Sequence, residues 1–243
     1  MDLAFAWSTL LALVHGIPLT LLLALLSTLF GLVLAVSLAV SRIWAPAWLA
    51  MIARGYVFVF RGTPLLVQIF LIYYGLGQFE VVRDSILWPI LREPFWCAVI
   101  ALAMNTGAYG SEIVRGGLLS VPHGQIEAAR ACGMSPLLAF RRIIMPIAVR
   151  QALPGYGNEL ILMVKATALA SIIALMEITG IAAKLISESY RVVEVFVVAG
   201  AIYLAINFTL TRIVAFAEYR LSGPLRERPG LLTPAPAAEG DRA

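Results

Sequence analysis

Charge is what this sequence has least of. Asp, Glu, Lys and Arg together make up 13% of 243 residues, against 61% hydrophobic residues, and mean hydropathy is +0.90. A water-soluble domain needs about 25% charged residues to cover its surface, so the deficit makes lipid the solvent. Histidine and cysteine are as sparse, at two each. His15 and His123 have no partner at metal-ligand spacing, so metal binding is not expected. Cys97 and Cys132 follow no metal or redox pattern and read as small packed or surface thiols. Catalysis at membrane depth would need clustered His, Asp, Glu or Cys, and only scattered groups occur, which argues against a membrane enzyme. There is no G-x-x-x-x-G-K-[ST] phosphate loop and no repeat of fixed period. Met1 and Asp2 give no basic n-region, so a cleaved signal is not expected.

What the sequence does have is apolar runs of about 20 residues, enough to cross a hydrocarbon core of about 30 Å. Five spans can be drawn: Pro18 to Val40, Tyr56 to Gly77, Phe95 to Val114, Leu153 to Met176 and Val192 to Ala215. The runs are continuous rather than alternating, which favours helices over a barrel. The expected fold class is therefore all-α integral membrane, with five transmembrane helices. An apolar lead-in over residues 1–17 is expected to break at Gly16 and Pro18, since proline is tolerated at a helix start. The tail 222–243 is rich in Pro, Ala and charge and reads as disordered.

Orientation follows from basic residues. Arg42 and Arg54 lie between spans one and two, and Arg115, Arg130, Arg141, Arg142 and Arg150 between three and four. Arg212, Arg220, Arg226, Arg228 and Arg242 follow span five. The other connections hold Arg83 and Arg92, then Lys184 and Arg191, mixed with acids. The N-terminus is thus expected outside and the C-terminus in the cytoplasm. The formal net charge of +4 reads as topology rather than as a nucleic-acid surface.

The cytoplasmic stretch from Ser120 to Pro154 is too long and too patterned for a turn. Pro122 and Gly124 precede a short helix from about Gln125, with Glu127 expected in its first turn, where the helix dipole favours an acid. Gly133 ends it in the left-handed conformation that glycine adopts cheaply. Ser135 can cap a second helix holding Leu137, Leu138, Phe140 and the Arg141–Arg142 pair, and Pro146 and Pro154 close the unit. On these features alone, docking into a cleft of a soluble partner and lying among the lipid headgroups are equally good readings.

The run Glu127-Ala128-Ala129, then Gly133, then Ile144 and Pro146, resembles the EAA loop of ABC importer permeases. Two further stretches resemble the polar amino acid uptake branch of that family. One is Arg61-Gly62-Thr63-Pro64-Leu65-Leu66-Val67-Gln68, expected at the cytoplasmic start of span two. The other is Asn105-Thr106-Gly107-Ala108-Tyr109 through Glu112, Arg115-Gly116-Gly117 and Ser120-Val121-Pro122. The likeness covers about His15 to Leu221 and looks nearest to subunits serving histidine, arginine, lysine, ornithine and opines. It implies a five-helix type I permease, with Glu127, Ala128, Ala129 and Gly133 as the ATPase-docking residues. It also implies three partners: a dimer of ATPase subunits carrying ATP and Mg, a sister permease or second copy of the chain, and an extracytoplasmic binding protein. No cofactor is implied in this chain. The alternative is a gradient-driven secondary amino acid transporter, which would want discontinuous helices and paired intramembrane charges, often in an internally repeated chain; such repeats are not evident, and the Glu127–Gly133 loop would have no role in it.

Polar groups inside a span face a cavity or a partner, because lipid solvates them poorly. Asn105, Tyr109 and Glu112 share one face of span three at helical spacing, and read either as interhelical contacts or as a solute pathway. Span four carries Asn158, Glu159 and Lys165. Glu159 needs a cation, a hydrogen-bond network or a raised pKa; a cationic solute, a protein group such as Arg150 or a helix of the sister subunit could each be its partner. Relatives of the family have an acid directly after the position of Lys165; Ala166 stands there in this chain, on the same face as Glu159.

Overall fold

A computed structural model describes residues 3–221, and the expected tail 222–243 lies outside them. Two helices open the chain, α1 (Leu3–Val14) and α2 (Ile17–Trp44). The turn between them falls at His15 and Gly16, with Pro18 in the first turn of α2, as the sequence led us to expect. The lead-in is itself a helix, packed against the last part of the chain.

The second span departs from expectation. Tyr56 to Gly62 belong to α3 (Ala47–Gly62), and the chain then bends by 107° into α4 (Leu65–Phe70), which continues through a π turn to Gln78. The predicted single helix from Tyr56 to Gly77 is thus a broken one. The break has a local cause: Pro64 lacks an N–H and biases the residue before it to extended backbone, and Thr63 lies at φ −113°, ψ 143°. Gln68, buried in the structure, stitches the break. Its Nε2 donates to the carbonyls of Phe60 (2.9 Å) and Thr63 (3.1 Å) and to Thr63 Oγ1 (2.8 Å), supplying partners that the end of α3 loses.

Short turns α5 (Glu80–Arg83) and α6 (Trp88–Leu91) lead to the central helix, α7 (Pro94–Leu119). The stretch expected to dock a partner folds as α8 (His123–Ala131) and α9 (Pro136–Ala139), and it runs through a π turn at Phe140–Ile144 straight into α10 (Met145–Ala166). Pro146 sits in the first turn of α10 and cannot donate to the carbonyl four residues back, where the ladder opens into the π turn. Pro154 was expected to close the loop. It lies inside α10 instead, so the fourth span starts nearer Met145 than Leu153. After Ala166 the helix tightens to a 3₁₀ turn ending at Ile173, before α11 (Ile178–Ser189) and α12 (Val192–Leu221).

α7 forms the axis of the bundle, with α2, α3, α4 and α10 all packed on it. Its buried face is mostly small: Cys97, Ala98, Ala101, Ala103, Thr106, Gly107, Ala108, Gly110 and Ser111. Close backbone approach replaces the hydrophobic drive that lipid does not supply. At the α2–α7 crossing, a Cβ on Gly31 would collide with the Thr106 methyl, and one on Gly107 would meet Leu34 Cδ2 at 2.7 Å. On the outside, large apolar side chains face outward, among them Val33 at 67% and Leu204 at 72% exposure. In water that surface would aggregate; in a bilayer it is the solvated face. Cys97 is buried with its Sγ 3.0 Å from the Leu91 carbonyl, and Cys132 is exposed.

The crossing makes a specific prediction. Gly31→Ala forces α2 off α7 and costs about 1–3 kcal/mol, whereas Gly200, with no atom within 4 Å of its added Cβ, tolerates alanine. Thermal unfolding of the purified protein in detergent should show a lower midpoint for Gly31→Ala only.

Candidate functional site

The four residues expected to dock an ATPase, Glu127, Ala128, Ala129 and Gly133, lie in α8 or in the turn just after it. α8 begins at His123 after Pro122, so Glu127 is its fifth residue rather than a first-turn acid as expected. Glu127 and Ala128 are exposed, while Ala129 is buried against the rest of the element. Gly133 takes φ +72°, in the left-handed region. There its N–H donates to the Arg130 carbonyl at 2.9 Å and the following Met134 N–H to the Ala129 carbonyl at 3.1 Å, which satisfies the end of α8. Ser135 caps α9 as expected, its Oγ accepting from the Leu138 N–H at 3.4 Å. The rim is solvent-facing, with Leu137 among its exposed apolar residues. Trp44, the last residue of α2, meets the Phe140 ring edge-on at 6.1 Å, so the first span touches this element directly.

The polar residues of the spans divide into two groups. Asn105, Tyr109 and Glu159 line one cavity of about 100 Å³, together with Leu65, Leu102, Leu162, Met163 and Ala166. Ala166 therefore shares the wall with Glu159, as the helical spacing predicts. Glu159 accepts a hydrogen bond from the Thr106 hydroxyl. Arg150, a candidate counter-charge, is not among its partners, and among the described residues the acid is held by one neutral hydroxyl. Asn105 Nδ2 donates to Gln68 Oε1 at 3.0 Å and approaches the Phe60 carbonyl at 3.4 Å. This ties the cavity to the break in the second span. The stretch Arg61–Gln68 consequently sits beside Asn105, about 17 Å along α7 from Pro94.

Glu112 belongs to a separate cluster. Its Oε1 accepts from Arg42 Nη1 at 2.8 Å and lies 3.5 Å from Arg61 Nη1, while Oε2 lies 3.0 Å from Arg115 Nη2. One carboxylate thus gathers three guanidiniums from α2, α3 and α7. The Arg61 guanidinium also lies over the Tyr109 ring, 5.2 Å from its centroid. Arg61 therefore bridges the ion cluster and the cavity.

Sequence reasoning missed two buried polar residues. Gln68 was quoted for its motif, but its work at the helix break depends on a bend that hydropathy does not reveal. Glu177 was passed over. It is fully buried, where its Oε1 accepts from the Gly180 N–H at 2.8 Å and its Oε2 from the Tyr203 hydroxyl at 2.8 Å. It caps α11 and links that helix to α12. An acid three residues ahead of a helical glycine was the signal that could have found it.

A bundle of broken and bent spans around one small-residue helix, with an exposed pair of short helices between α7 and α10, is the architecture of a membrane permease. Residues 27–223 match the family described as "Binding-protein-dependent transport system inner membrane component". The chain belongs to this family of ABC importer permeases, and its fold is the five-helix type I permease fold. It is 64% identical over 220 residues to the octopine transport system permease protein OccM of Rhizobium meliloti, covering 90% of each chain. It is 52% identical to the nopaline transport system permease protein NocM of Agrobacterium fabrum, over 96% of this chain and 98% of that one. Among solved structures, an amino acid ABC transporter crystallised with histidines superposes with a TM-score of 0.80 at 34% identity, over 90% of this chain and 99% of the other.

The ion cluster predicts a split in stability. Glu112→Gln leaves three guanidiniums facing one another and should cost about 1–3 kcal/mol. Arg61→Gln removes the most weakly held of the three and should leave the unfolding free energy within about 0.5 kcal/mol of wild type.

Proposed function

We propose that this chain is the membrane permease of an ATP-driven importer for arginine-type amino acids or their opine conjugates. The observation that carries the solute class is Glu159, a carboxylate held by one hydroxyl in a cavity it shares with Asn105 and Tyr109. A buried acid without a counter-charge favours a cation, and a guanidinium can take the place that a protein arginine would otherwise fill. The names of the octopine and nopaline relatives support the same class, since both opines carry a guanidinium and more than one carboxylate. The cavity alone is too small for such a solute. A sister permease or second copy of the chain would complete the wall around it.

In this reading the chain has no ATPase site of its own. ATP and Mg sit on a pair of ATPase subunits that grip the element around Glu127, Ala128, Ala129 and Gly133. An extracytoplasmic binding protein delivers the solute. The N-terminus lies outside and the C-terminus in the cytoplasm of a bacterial inner membrane, as the distribution of basic residues requires. Closure of the ATPase pair pushes on α8, and the Trp44–Phe140 contact and the unbroken run of α9 into α10 carry that push to the spans that hold Glu159.

Uptake of labelled arginine and octopine into proteoliposomes, with the ATPase and binding protein present, tests the reading. Uptake should require ATP and fall in the order wild type, Gly133→Asn, Gly133→Val. The left-handed backbone tolerates asparagine and penalises a β-branched residue by about 1–2 kcal/mol. ATP-independent flux would make the chain a gradient-driven carrier.

A further inference from the structure

Three guanidiniums share the carboxylate of Glu112, but not equally. Arg42 holds Oε1 at 2.8 Å with its side chain 13% exposed, whereas Arg61 stands 3.5 Å from the same oxygen with its side chain 44% exposed. Arg42 and Arg115 satisfy the acid between them, so the charge of Arg61 is left over. Its planar group rests on the Tyr109 ring, and Tyr109 is also a wall of the Glu159 cavity. An acid on α10, an aromatic ring on α7 and a loosely held cation on α3 therefore follow one another beside α7, from Thr106 towards Glu112. Arg61 is also the penultimate residue of α3, immediately before the 107° break, where a side chain can move without disturbing a continuous helix.

We propose that Arg61 binds the carboxylate of the solute in transit, while Glu159 takes its cationic end. This rests on the permease reading above and deepens it. The permease then selects for opposite charges at the two ends of the solute, independently of the binding protein. Arginine and its opines have both ends; agmatine, which is arginine without its carboxylate, has a guanidinium at one end and an ammonium at the other. A guanidinium reads a carboxylate through paired N–H donors, and the exposed face of Arg61 leaves such donors available. When the solute leaves, Arg61 falls back onto Glu112 and Tyr109.

Equilibrium binding of labelled arginine to the assembled permease–ATPase complex, without binding protein, tests this. Unlabelled octopine or agmatine serves as competitor, in nanodiscs of a zwitterionic lipid. In wild type, agmatine should compete roughly tenfold or more weakly than arginine itself. Arg61→Gln should weaken arginine and leave agmatine unchanged or bound more tightly, because its ammonium no longer faces a guanidinium, so that the ratio falls towards one. Arg61→Lys should restore part of it. An unchanged ratio in Arg61→Gln overturns the role of Arg61 while leaving ATP-driven uptake, and so the permease reading, intact. Discrimination that appears only when anionic lipid is added would assign the leftover charge to a lipid phosphate and equally overturn the proposal. A wild-type complex that binds no arginine contradicts both the proposal and the solute contact assigned to Glu159, whereas loss of ATP dependence would strike the permease reading alone.

Discussion

A carboxylate inside a membrane protein has to be reconciled with a solvent that cannot hydrate it, and the way Glu159 is held organises much of this molecule. Its hydroxyl donor, Thr106, lies on α7 where α2 crosses at close range, and that approach exists because Gly31 has no side chain to push Thr106 away. Enlarging Gly31 would therefore disturb both the packing and the acid. Glu112 and Glu177 show the two other ways of holding an acid in this bundle. The first is surrounded by arginines, and the second is enclosed by a backbone N–H and a tyrosine hydroxyl. Only Glu159 is left with a single hydroxyl and a cavity beside it. This difference in satisfaction, not acidity as such, separates a candidate transport residue from a structural one.

The broken second span gives the cavity its shape. A straight helix there would present its carbonyls only to itself. The break at Thr63–Pro64 frees carbonyls that Gln68 collects, and Gln68 in turn orients Asn105. Non-helical backbone at this depth is tolerated because it is covered by protein and paired by a side chain. The same break leaves Arg61 at the end of a helix, able to reach both Glu112 and Tyr109. Chain irregularity, polar pairing and the candidate site thus share one origin, in the residues from Arg61 to Gln68.

Much of this was legible in the sequence. The apolar runs and basic connections marked the spans, and the Gly133 and Ser135 caps were readable because their conformations follow from residue type. The clustering of Asn105, Tyr109 and Glu159 was partly readable, since helical spacing fixes which residues share a face. What could not be read was which acid has which partner. Arg42 lies 70 residues from Glu112 in sequence, and Thr106 lies 53 from Glu159, so those pairings depend on how the helices cross. The second span was drawn straight because hydropathy averages over a proline, and Pro154 was taken as a stop although α10 runs through it. The same residue type breaks one helix and is absorbed by another, and the difference lies in what packs around each.

If solute passes the cavity beside Glu159, it passes Ala166, which lines that wall without holding anything. In a protein with Cys97 and Cys132 replaced, Ala166→Cys should react with a small cationic thiol reagent while the importer turns over. Saturating arginine with its binding protein should slow that reaction severalfold. Labelling at the same rate with and without solute, or no labelling at all, would mean that the solute takes another route and that the Glu159 cavity is part of the scaffold.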